Sequence, residues 1–190
     1  MGSVGNASRA LALAQTAVAR DPLNAYAYIS LGNALNWRRA SDHEAEAAFR
    51  QAANPSPQGA GIQRNIAVVL SNQGQHQEAL SVCALEQADS LRLDSQAIIH
   101  YRIGQFVESD LALNEMLERE RNRGSNSTWA FQLARVFGDR GDADHAFAWL
   151  DTGFVERDSG CAQVKLSPYF RSLHDDPRWA AFLTKMGFPD

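Results

Sequence analysis

The chain carries five histidines, His43, His76, His100, His145 and His174, and two cysteines, Cys83 and Cys161. A structural zinc site needs four such ligands in close pairs, and a catalytic one needs three beside an open position. No two of these residues stand at that spacing. The nearest approach is "DHEAE" at 42–46, where His43 and Glu46 lie three apart. It lacks the second histidine of a zinc-binding helix, so it reads as a solvated helix start whose acids favour the helix dipole. The acidic pair Asp175-Asp176 precedes Pro177, where a carboxylate caps a helix and proline takes its first turn. "GAG" at 59–61 follows Pro-Ser-Pro rather than a strand and reads as a linker. The chain has no Gly-rich phosphate loop, nucleophile elbow or kinase signature. The two distant thiols read as semi-buried and reduced. The expectation is a protein that is not an enzyme and has no cofactor and no metal site. An acid or base buried in a cleft would reopen the question.

Charge excludes a second class. Lys plus Arg number 18 against 22 Asp plus Glu, a formal net charge of −4 over 190 residues. A direct nucleic-acid binder shows a basic face instead. The densest charge run, "ERERNR" at 118–123, alternates in sign and reads as a solvated helix surface. No stretch approaches the roughly 18 apolar residues of a membrane span. "NASRALALAQTAVAR" at 6–20 imitates a signal peptide, but Gln15 and Thr16 interrupt its apolar run. A cytoplasmic location away from membranes is the expectation.

The elements are helices throughout. In "YAYISLGNALNW" at 26–37, Tyr28, Leu31 and Leu35 stand at i, i+3 and i+7 and line one helical stripe. Gly32 interrupts that stripe at a cost of about 1 kcal/mol relative to alanine. Such a cost is expected where something packs too close for a side chain. Breaks fall at Asp21-Pro22, Asn54-Pro55-Ser56-Pro57, Gly74, Gly104, Gly124-Ser125, Gly141 and Ser159-Gly160. The segments between them suit short paired helices.

These segments repeat. Ala10, Ala14, Ala17 and Pro22 recur 35 residues later as Ala45, Phe49, Ala52 and Pro57, and Ala45 recurs 34 later as Ala79. Gly74 and Ala79 recur 67 later as Gly141 and Ala146, two periods less one. Gly104 lies 30 after Gly74 and 37 before Gly141, so one unit is short and the loop around "NRGSNST" restores the register. A period near 34 with paired helices indicates a superhelical array, with small residues where helices approach closely.

On these residues the chain resembles tetratricopeptide repeat proteins. Tyr28, Leu31, Gly32 and Leu35, followed by Ala45, Phe49, Ala52 and Pro57, match nearly a full unit of that family. "GQHQEAL" at 74–80 is similar to the family's turn motif, with His76 in the place of an aromatic. "GQFVES" at 104–109 and "GDADHAF" at 141–147 are weaker echoes. The resemblance covers about Ala10 to Phe154. It implies an all-α fold, a right-handed superhelical solenoid of antiparallel helix pairs, forming one domain over 1–190. Its parts would be a half repeat at 7–22, repeats at 25–58, 59–89, 90–122 (degenerate) and 127–158, and a C-terminal cap at 166–190. In the cap, Trp179, Phe182, Leu183 and Met186 form an apolar stripe that Gly187 ends.

The resemblance also implies a function class. First helices of successive units line a concave groove that holds a protein or peptide segment. Projection onto this sequence places Tyr26, Ile29, Asn33, Asn36 and Trp37 there in the first full unit, with Arg38 and Arg39 beside Trp37. Arg64, Val68 and Asn72 follow in the second unit, and Phe131 and Arg135 in the last. Arg and Asn can hold a peptide backbone or carboxylate by directed hydrogen bonds. The family's carboxylate clamp is matched only in part, by Arg64 and Asn72, with a valine where the clamp has asparagine. The tail resembles those that close such repeats in bacterial adenylate cyclases, winged-helix regulators and protein kinases. With only a half repeat in front, the alternative expectation is a sensory or regulatory region cut from such a larger protein.

Overall fold

The structure, a computed structural model, describes residues 2–38, 42–56, 59, 61–124 and 128–188, with 2–7 and 38 as backbone only. All regular elements among these residues are helical. The elements are α1 (Gly2–Arg20), α2 (Ala25–Arg38), α3 (Asp42–Ala53), α4 (Ile62–Asn72) and α5 (His76–Cys83). Then come α6 (Asp89–Arg102), α7 (Phe106–Asn122), α8 (Ala130–Arg140) and α9 (Ala143–Val155). Two 3-10 helices, Ser159–Gln163 and Pro168–Leu173, precede α10 (Pro177–Lys185). Residue contacts gather into two compact units, 1–95 and 96–190, whose boundary falls within α6.

In the first unit each helix packs on the next, α1 on α2, α2 on α3, α3 on α4 and α4 on α5. Gly32 has its reason here. A Cβ on it would lie 2.5 Å from the Phe49 ring, so α2 and α3 approach with that ring on bare backbone. Around it Ala45, Ala48, Phe49 and Ala52 bury one face of α3. Gly74 ends the α4 turn at φ +80°, in the left-handed region where glycine carries no Cβ penalty. Side chains distant in sequence also meet. Asn72 of α4 donates to Asn36 Oδ1 of α2 at 3.3 Å, and Arg50 of α3 pairs with Glu78 of α5 at 2.9 Å.

In the second unit α8 is the centre, packed by α7, α9 and both 3-10 helices. Its Leu133, Ala134 and Val136 are fully buried. Contacts near one period recur. Arg102 of α6 forks onto both oxygens of Asp139 on α8, Asp144 of α9 pairs with Arg178 of α10, and Asp151 of α9 pairs with Lys185 of α10. Ser172 in the second 3-10 helix donates to the Gly138 carbonyl at 2.8 Å. The tail is therefore more than the single capping helix expected. Its second 3-10 helix stands against α8, and α10 stands against α9.

Asp176 caps α10, accepting from the Arg178 N–H at 2.9 Å, with Pro177 in the first turn. The Arg178 guanidinium on the same carboxylate holds Asp176 down at about 2. Trp179 and Phe182 are buried, and Met186 is half-buried before Gly187 turns the chain at φ +74°.

Candidate functional site

The expected partner-binding residues separate into an open group and a covered one. On α2, Tyr26, Asn33 and Trp37 fall within about 40° of one line at 100° per residue. Tyr26 is 81% exposed, while Asn33, Ile29 and Trp37 are half-buried. The turn that starts this helix is fixed by Asn24, whose Oδ1 accepts from the N–H groups of Tyr26 and Ala27. Asn36 sits to the side at 8% exposure, its Oδ1 taken by Asn72. That contact ties α4 to the face, with Asn72 and Arg64 half-buried on α4. Arg39 and the Arg38 side chain lie outside the described residues.

Val68 and Phe131 do not face a groove. Val68 is buried in the α4 core. Phe131 lies against Phe170, ring centroids 5.8 Å apart, and Gly160 has no side chain because the Phe131 ring fills that space. Arg135 is a further correction. It is 2% exposed, and its guanidinium lies 4.1 Å from the centre of the Tyr169 ring. A second guanidinium, that of Arg102, lies 5.7 Å from the same ring. The chain's own tail covers the position that the repeat pattern assigns to a partner. Docking of a distant segment leaves no local trace in the sequence, which is why the pattern missed it.

The residues with chemical potential are otherwise engaged. Burial pushes both thiols up to about 12, so Cys83 and Cys161 stay protonated, and both are more deeply buried than the sequence suggested. Glu46 of "DHEAE" accepts from Arg50 at 2.7 Å and from Gln73 at 2.9 Å. His145 stacks on Phe137 and meets Asp142 at 2.8 Å. Among the described residues no group of three His, Cys, Asp or Glu could hold a metal ion, and no helix is long and apolar enough to cross a membrane. No protein-family model matches the chain, and no curated protein matches it.

Three acids that the sequence did not single out hold helix starts. Glu86 is buried and accepts from the N–H groups of Gly61, Arg64 and Ala88. Glu120 accepts from Trp129 N–H at 2.8 Å and Thr128 hydroxyl at 3.0 Å. Asp158 accepts from Phe131 N–H at 3.1 Å and Gly160 N–H at 2.8 Å. Glu120 belongs to the "ERERNR" run, so that run is not wholly solvated. A signal did exist, since α4 and α8 start at Gly61 and Trp129, which lack capping side chains. Their free N–H groups require acceptors from elsewhere.

Proposed function

We propose that the chain is a tetratricopeptide-like, non-catalytic interaction module of a superhelical array. Its binding face is the line of Tyr26, Asn33 and Trp37 on α2, extended onto α4 by Asn36 and Asn72. The observation that carries this reading is the Asn36–Asn72 contact. It joins two helices one period apart and leaves an aromatic and amide surface beside them. The near-period contacts Asp144–Arg178 and Asp151–Lys185 support the repeat reading independently. Exposed Tyr26 and half-buried Trp37 offer large contact area at low entropic cost, and Asn33 offers a donor and an acceptor to a peptide backbone. An extended protein segment is the fitting ligand. Arg135 takes no part.

The test is selection of binders from a displayed random-peptide library against the whole chain. Tyr26→Ala and Trp37→Ala should each weaken a selected peptide by about tenfold, an ordinary hot-spot loss, and leave the melting temperature within a few degrees. Peptides that bind both variants as tightly as the parent would move the site off α2.

A further inference from the structure

The charges of the first unit sort by helix. α2 and α4 contain no acid and one base each, Arg38 and Arg64. α3 and α5 carry Asp42, Glu44, Glu46, Arg50 and Glu78 between them, and there Arg50 meets both Glu46 and Glu78. Neither arginine of α2 and α4 serves the proposed face. At 100° per residue Arg38 stands about 100° round α2 from Trp37. The Arg64 Nε is buried, and the guanidinium charge is felt at the Cys83 thiol, which is 0% exposed. What the face carries instead is uncharged and forms hydrogen bonds. Ser30 is exposed and falls within about 40° of Tyr26, on the line of Asn33 and Trp37. Asn36 and Asn72 adjoin that line, already joined to each other.

We propose that this face takes an uncharged stretch of extended chain and reads its backbone. The inference rests on the α2–α4 face being the binding site. A charged ligand group leaving water here would meet amides and aromatic rings with no countercharge, and burying an unpaired charge is costly. A peptide unit suits the face better. Each Asn offers a donor and an acceptor, the complement of one C=O and one N–H. A carboxylate clamp needs a cation, and none stands on this line among the described residues.

The test uses the tightest peptide selected against the whole chain from a displayed random library. Trimmed to its shortest binding stretch, it should lack Asp, Glu, Lys and Arg. Its Kd should change less than about twofold between about 50 and 500 mM NaCl, since salt screens only charge. Asn33→Asp, which adds a charge at unchanged size, should weaken it about tenfold and leave the melting temperature within a few degrees. Exchanging one backbone amide of the trimmed peptide for an ester should cost a similar factor. A trimmed peptide that bears charges, is weakened by Tyr26→Ala and loses more than about tenfold in the added salt would overturn this inference and leave the α2 site standing. So would full affinity for Asn33→Asp. A peptide indifferent to both Tyr26→Ala and Trp37→Ala would overturn the site itself, and this inference with it.

Discussion

At Gly32 a single methyl group decides the α2–α3 contact. The Phe49 ring rests on the Gly32 backbone, and Ala52 is fully buried one turn along α3. Interiors packed to crystal-like density have no room for added carbons without moving side chains or backbone. Ala52→Leu is therefore expected to cost about 1–3 kcal/mol. Denaturant unfolding checks it, and a midpoint equal to the parent's would mean that Ala52 does not face a tight contact. This part of the molecule was legible from types alone. A glycine inside an apolar helical stripe announces a close approach, whereas the match displaced by 35 carries less far, since Ala17 of α1 is exposed where Ala52 of α3 is buried. Arg135 was not legible in the same way. Its type and phase matched a groove position, yet Tyr169, 34 residues later, stacks on it.

α1, α3, α4, α6, α7, α8 and α10 end one or two residues before a proline or glycine, because those residues act on local backbone geometry, whereas α5 ends at Cys83 and α9 at Val155 with none following so closely. How helices start was harder to read. α9 and α10 carry their own caps in Asp142 and Asp176, visible in the sequence. α4 does not, and α8 has only Thr128, whose hydroxyl accepts from Ala130 N–H at 3.0 Å; the acids that serve these two helices come from 22 to 27 residues downstream or, for Glu120, from the helix before. Each acid closes the loop of one helix onto the start of another, so it fixes the pair as well as the cap. Glu120 is nearly buried and also pairs with Arg123 at 2.7 Å. Glu120→Ala leaves the Trp129 N–H without its charged acceptor and should cost about 2 kcal/mol. Glu120→Gln keeps an acceptor oxygen and should cost less. Chemical denaturation of the two variants gives the comparison, and equal losses would assign the effect to packing rather than to the cap.

For the molecule as a whole, the tail decides whether the second unit is closed. Phe170 and Leu173 are fully buried on α8, and Trp179 lies 6.2 Å from Phe170 and 4.7 Å from His174. Burying an aromatic side chain is worth about 1.5–3 kcal/mol. Loss of α10, with Trp179 and Phe182, thus removes several kcal/mol from a fold whose total margin is about 5–15 kcal/mol. The ion pairs along α10, Arg178 with Asp144 and Lys185 with Asp151, are exposed and add little by comparison. The apolar contacts therefore dominate. Deletion of residues 175–190 should leave Phe147 and Phe170 uncovered, and the protein should aggregate or melt over a broader range. End units in stacked arrays depend on their neighbours, so amide exchange should rise first in α8 and α9. A truncated protein that stays soluble, melts as sharply as the parent and keeps α8 protected would make the tail an appendage, with Tyr169 and Phe170 alone sealing the unit.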